Sequence, residues 1–129
     1  MPMSKNETIR YWLRAAQRDR DAASDNFKNG HYNWTLFMWQ LVIERVIKAL
    51  IIKNDKQVLP IHNLSQLIKR ANVDIDDQML DELKEISLFN LNARYEDYKE
   101  EFYKKATKKY TLKWINIAER IYQWLKKQI

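Results

Sequence analysis

Apolar residues recur three and four positions apart along most of this chain, the spacing of an amphipathic α-helix rather than of a strand. Ile9, Trp12, Leu13, Ala16, Ala23 and Phe27 form the first stripe. Ahead of it Ser4 and Glu7 have capping-box spacing, in which the serine hydroxyl accepts an early backbone N–H and the glutamate reaches back. Asn29-Gly30 supplies a left-handed stop, so the pattern predicts a first helix over residues 5–28.

The second predicted helix, residues 32–53, is apolar around most of its circumference, from Trp34 and Leu36 through Leu50 and Ile51. At about 100° per residue, Asn33, Gln40, Glu44 and Lys48 fall on one narrow polar stripe of that cylinder. A helix so apolar is central or lies at an interface. One domain of this size is not expected to cover it alone, which predicts a homodimer seam or a partner there. Beyond Asn54-Asp55-Lys56 and Leu59-Pro60, His62-Asn63-Leu64-Ser65-Gln66 opens a short third helix ending near residues 70–72. Here Asn63 and Gln66 have capping-box spacing, and His62 is expected to cap the helix or its connection.

Asp76-Asp77 begin a fourth helix that turns Met79, Leu80, Leu83, Ile86 and Phe89 inward, with acids in the first turn to suit the helix dipole. From Asn90 to about Tyr103 the pattern weakens and the chain is expected to bend away. A last helix carries Tyr110, Trp114, Ile117, Ile121 and Leu125 on one stripe. Short helical connections favour antiparallel neighbours, so the expected fold is all-α: an up-and-down bundle of four main helices plus one short one, a single domain over residues 1–129.

Composition narrows the function classes. One glycine and two prolines leave few turns for an all-β fold, and the absence of cysteine excludes disulfides and thiolate metal sites. Two histidines without cysteine make no convincing metal site, and Gly30 alone cannot build a phosphate-cradling loop. No metal or other cofactor is expected. The first six residues lack the apolar core of a signal peptide, and Gln40, Glu44, Arg45 and Lys48 interrupt the longest apolar run. A cytoplasmic protein without membrane contact is therefore expected. The net charge of +6 arises entirely after residue 98, where nine lysines and arginines meet three acids. A solvated helix face is the commoner reason for such a run, and a phosphate polymer is the functional one.

Five pieces in order carry a resemblance: Trp12 with the run Ala15–Ala23, then Gly30-His31-Tyr32, then the run Gln40–Leu50, then Ile61-His62-Asn63-Leu64, and finally Ala93-Arg94-Tyr95. Together they resemble the HEPN domain (higher eukaryotes and prokaryotes nucleotide-binding) over residues 9–125. The resemblance implies an all-α, usually dimeric bundle, often encoded beside a minimal nucleotidyltransferase as a toxin–antitoxin-like pair. Many members are metal-independent ribonucleases whose motif is an arginine followed, after four to six residues, by a histidine at the seam between subunits. Arg94 falls where the family arginine stands, but Lys99, Glu100 and Glu101 occupy the places where the histidine could follow. One subgroup adds a tyrosine two residues beyond that histidine, which partner enzymes can adenylylate; here Lys99 and Glu101 stand at those two places.

The candidate nucleotide- or phosphate-binding residues are Arg94, Tyr95, Glu44, Lys48 and His62. For Arg94 the structural alternative is a bend in which it pairs with Glu96 or Asp97; a guanidinium suits phosphate equally well. Glu44 and Lys48 form an i, i+4 pair in the favourable orientation, structural if exposed and mutually dependent if buried between subunits. His62 is the one histidine that could approach Arg94 in space, and His31, beside the helix-ending glycine, is expected to be exposed. No residue is assigned a catalytic role. The expected function is a dimeric, non-catalytic binding subunit for a nucleotide or RNA. The alternatives are a ribonuclease using Arg94 with Lys99, Tyr98 or His62, and a structural adaptor that docks an acidic protein on its basic last helix.

Overall fold

A computed structural model describes residues 2–129, and among them there are six helices and no strand. They are α1 (Lys5–Lys28), α2 (Tyr32–Lys53), α3 (Leu64–Ala71), α4 (Asp77–Arg94), α5 (Glu96–Lys105) and α6 (Lys108–Lys127). The four long helices make the expected bundle, with α3 and α5 as short additions. The Ser4 hydroxyl accepts the Glu7 N–H at 3.2 Å and starts α1. Gly30, at φ +75°, turns the chain back into α2 through a conformation that only glycine adopts without strain.

α2 is the axis of the bundle and touches each of the other five helices. Leu36, Val42, Ile43, Val46, Ile47 and Ile51 are wholly excluded from solvent. This overturns the expectation that α2 needs a second copy to cover it. The remaining helices of the same chain surround it, and Trp34 at its first turn is its one exposed large apolar residue among those described. The core is shared by all six helices, with Leu64, Leu67 and Ile68 of α3 and Leu83, Ile86 and Phe89 of α4 joining Ile121 and Leu125 of α6.

Side-chain caps start three further helices. Asn63 Oδ1 accepts the Gln66 N–H at 3.1 Å, so α3 is capped by Asn63 and not by His62, which lies one residue outside. Asp76 Oδ1 accepts the Met79 N–H at 2.8 Å, and Thr107 Oγ1 the Tyr110 N–H at 3.2 Å. Asp76→Ala is expected to lower unfolding free energy by about 1 kcal/mol, measured by urea titration, because one orphan N–H at the start of α4 loses its partner.

The stretch expected to bend away after Asn90 is helical almost throughout. α4 runs on to Arg94, Tyr95 breaks it in an extended conformation, and α5 begins at once. Acids at its start (Glu96, Asp97) and lysines at its end (Lys104, Lys105) match the helix dipole. Phe102 is the only buried residue of α5, and its ring lies 5.7 Å from that of Phe89. α6 is tied to α1 by a bidentate ion pair between Arg20 and Glu119, and α1 to α2 by Arg45 and Asp19. No helix among the described residues is long and apolar enough to cross a membrane.

Candidate phosphate-binding site

A buried polar network forms where α2, the segment before α3 and the C-terminal half of α4 meet. Gln40, Glu44 and Lys48 are successive i, i+4 neighbours on α2 and face inward within the single chain, not across a subunit seam. Lys48 Nζ donates to Glu44 Oε2 at 2.9 Å and stands 5.4 Å above the ring of Trp12. Gln40 Nε2 donates to Glu44 Oε1 at 3.0 Å, and Gln40 Oε1 accepts from Asn90 Nδ2 at 2.9 Å. Asn90 continues the inward stripe of Leu83 and Ile86, a polar residue at a core position that the spacing alone would have marked.

Burial pushes the Glu44 carboxyl toward higher pKa, but the hydrogen bonds from Lys48 and Gln40 and the Lys48 charge outweigh it. The net result lies below the ordinary carboxylate value, so Glu44 is ionised at neutral pH. His62 Nδ1 lies 3.0 Å from Glu44 Oε1. Against an ionised carboxylate that nitrogen must carry the hydrogen, which fixes the tautomer and leaves Nε2 as the ring's free nitrogen. The His62 backbone oxygen is held as well, by Gln40 Nε2 at 3.3 Å.

Arg94 stands at the last turn of α4. Its Nε donates to the Asn90 carbonyl at 3.3 Å, and its guanidinium lies 5.8 Å from the ring centre of Tyr95. The expected pairing with Glu96 or Asp97 is not made: among the described residues no carboxylate forms an ion pair with Arg94. Arg94, Tyr95 and His62 instead line one open cavity of about 490 Å³, with Lys84, Asn90, Leu88 and Leu91. Glu44 and Lys48 do not reach its surface; they form the layer behind His62. Lys99 and Tyr98 line other clefts, away from this one. The exposed His31 sits at the N-cap of α2 without making a side-chain cap.

Cavity chemistry is thus cationic at two points, hydrogen-bonding at His62, Asn63, Ser87 and Asn90, and apolar at Leu88, Leu91 and the Tyr95 ring. Among the described residues no three histidine, acidic or cysteine side chains cluster to hold a metal. A second cleft of about 370 Å³ lies between α1 and α6, lined by Trp39, Phe27, Leu112 and the Arg20–Glu119 pair. Arg20 and Glu119 are 99 positions apart, and nothing in the local spacing of either announces the other.

A bundle with one central helix and a polar network behind a cationic cavity defines an all-helical class of domain. The chain belongs to the HEPN domain family: residues 9–128 match the family's sequence profile. Its fold is similar to that of TT1696 from Thermus thermophilus, at TM-score 0.82 and 19% identity, covering 94% of this chain and 98% of that one. It is also similar to ST0689, an archaeal HEPN homologue, at TM-score 0.76 and 22% identity, covering 93% of this chain and 96% of that one. At that identity the likeness is one of fold. No curated protein matches the chain.

Proposed function

We propose that the protein is a cytoplasmic, non-catalytic binding subunit that holds a nucleotide or RNA through its phosphate in the cavity of Arg94 and His62. The observation that carries this reading is the Arg94 guanidinium, free of ion pairs among the described residues and set beside Lys84 in an open cavity. A planar, fork-shaped cation without a carboxylate partner is well matched to phosphate oxygens. Arg94→Ala is expected to weaken binding of a nucleoside monophosphate or a short RNA about 10–100-fold, the worth of charge-assisted hydrogen bonds, as measured by calorimetric titration. Binding that is unchanged in the variant defeats this assignment.

The family resemblance adds a homodimer and a minimal nucleotidyltransferase partner in a toxin–antitoxin-like pair. With α2 covered internally, the seam moves to the outer edge of α4, where Leu88, Leu91 and Tyr95 are exposed around the cavity rim. Two copies meeting there would bring two cavities together. Light scattering at micromolar concentration tests the dimer, and a stable monomer would sink it. A coding sequence for a minimal nucleotidyltransferase next to this one would support the pairing.

A second reading is favoured by one specific feature, the presence of His62 in the same cavity as Arg94. An imidazole beside a phosphate-holding arginine is the equipment of metal-independent RNA cleavage. Incubation with structured and unstructured RNA separates the two readings: cleavage by the wild type that disappears in Arg94→Ala establishes the ribonuclease.

A further inference from the structure

We propose that the cleft between α1 and α6 is a separate binding site, for a small amine whose apolar body rests on Trp39 and Phe27 and whose ammonium meets Asp21. It shares no residue with the cavity of Arg94 and His62 and does not depend on the phosphate reading.

The cleft exists because two antiparallel helices lie side by side without closing on each other. The backbones of α1 and α6 scarcely approach. Their side chains are tied where Arg20 grips both oxygens of Glu119 and the Tyr122 hydroxyl reaches Gln17 Oε1 at 3.3 Å. Beyond that tie α1 offers Ala23, Ser24 and Phe27, and α6 offers Ile115 and Leu112. The two small residues of α1 leave a gap of about 370 Å³ instead of a packed seam, with Trp39 of the central helix behind it. From Arg20 to Phe27 the α1 wall spans about 10 Å, at 1.5 Å per residue. With the ion pair across one end, that is short for a docked helix, and the volume is that of a small-molecule pocket.

Charge decides the class of ligand. Arg20 is fully engaged: its Nε donates to Glu119 Oε2 at 3.0 Å, a terminal nitrogen holds Oε1, and the guanidinium lies 5.1 Å from the centre of the Tyr122 ring. Lys126 stands 5.1 Å from the same ring and lies outside the cleft lining. An anion entering the cleft would have to break the Arg20–Glu119 pair to find a cation. Asp21 is in the opposite position. Its Oδ1 accepts from Gln17 Nε2 at 3.0 Å, but among the described residues no lysine or arginine forms an ion pair with it. One cation against two carboxylates leaves the lining net negative. The aromatic rings act in the same sense, because the faces of tryptophan and phenylalanine attract a cation. A ligand with an ammonium head and a hydrocarbon or aromatic body answers both needs. It pairs with Asp21 and covers Phe27, Ile115 and Leu112, the last of which is 40% exposed. Trp39 is 5% exposed where it lines the cleft, and its indole N–H has no acceptor among the described residues, so it reports any occupant directly.

The test follows the indole N–H signals by NMR of protein carrying nitrogen-labelled tryptophan, the Trp39 signal being the one missing from Trp39→Phe. The probes are phenethylamine, phenethyl alcohol and hydrocinnamate, which share an apolar body and differ in the head group. Phenethylamine should shift the Trp39 signal with half-saturation at about millimolar concentration, the range open to a ligand of so few atoms. It should bind about 3–10-fold more tightly than the alcohol, the worth of one charge-assisted contact at a solvated rim, and hydrocinnamate should bind most weakly. The advantage of the amine should shrink as salt is raised. Asp21→Asn keeps the shape of the exposed rim and removes its charge, so amine and alcohol should then bind alike. Ser24→Trp fills the cleft from its rim and should abolish the response to all three probes, in a protein shown by thermal unfolding to be folded. Equal binding of amine and alcohol by the wild type, or a preference that survives Asp21→Asn, overturns the ligand class. A Trp39 signal that no probe moves overturns the site.

Discussion

Glu44→Ala is expected to destabilise the protein by about 3–5 kcal/mol, more than any single contact of Glu44 is worth. The substitution does more than delete an ion pair. It leaves the Lys48 ammonium, almost wholly buried over the Trp12 ring, with no counter-charge, and it takes the acceptor from Gln40 and His62 together. Unpaired buried charge is the dominant cost, so removing the ammonium as well should repair most of the damage. Glu44→Gln combined with Lys48→Met keeps an acceptor for Gln40 and His62 and eliminates the charge. Urea unfolding of the double variant should recover most of the loss seen in Glu44→Ala, and a double variant as unstable as the single would contradict the account.

The same group sets part of the acid response. The folded-state pKa of Glu44 is lowered from the ordinary 4.5, so its contribution to stability is fully present above that value. It is lost as pH falls through the lower, folded-state value, because protonation then breaks the bonds from Lys48 and Gln40. Glu119, lowered by its hydrogen bonds from Arg20 and Gln123 in spite of burial, acts with the same sign. Unfolding midpoints measured from neutral to acid pH should therefore fall less steeply in the Glu44→Gln, Lys48→Met variant than in the wild type.

Phe89→Ala is the second large effect, expected at about 3–5 kcal/mol. Its ring is 2% exposed and meets Phe102 of α5 at 5.7 Å, Trp114 of α6 at 5.8 Å and Tyr110 of α6 at 6.5 Å. Three helices therefore share one anchor, and the cavity left by alanine cannot close by moving any one of them. The loss should be uneven as well as large. α5 has no other buried residue than Phe102, so its backbone amides should exchange with solvent far faster in the variant, while those of α2 should follow global stability. Amide exchange followed by mass spectrometry reads both. Uniform acceleration along the chain would mean that α5 is held by something besides this aromatic contact.

These dependencies show which parts of the fold are written in local pattern and which are not. α1 and α2 occupy the residues that Ser4, the apolar stripes and Asn29-Gly30 mark, because hydroxyl caps and a positive-φ glycine act within a few residues of themselves. α5 has no such signature. Its sequence, Glu-Asp-Tyr-Lys-Glu-Glu-Phe-Tyr-Lys-Lys, turns one apolar side chain inward, and a single buried position has no period. Its helicity rests on dipole-matched charges and on a ring contributed by α4. The covering of α2 was equally hidden. Apolarity around a helix reports how much surface must be buried, but not whether helices far along the chain or a second molecule will bury it.

The site divides in the same way. Glu44 and Lys48 were legible as a pair because four residues of helix bring them together, and the structure joins them at 2.9 Å. His62 lies 18 positions from Glu44, and its approach depends on how the segment after Pro60 folds over α2. No spacing rule covers that distance. Arg94 was readable as an unusual residue at a helix end, but its freedom from Glu96 and Asp97 follows from Tyr95 turning the chain, which separates helices that continuous periodicity would have merged.

Because α2 is gripped on all sides, the two layers of the cavity differ in how freely they can adapt. Gln40 and Glu44 are mounted on the element least able to shift, whereas His62 hangs from a connecting segment and Arg94 from the final turn of a helix. The back of the cavity is a fixed template and its lip is adjustable. A ligand entering there would meet an imidazole directed by Glu44 of the central helix and a guanidinium carried on a helix end. The direction of the imidazole and the placing of the guanidinium are in this way set by different elements of the fold.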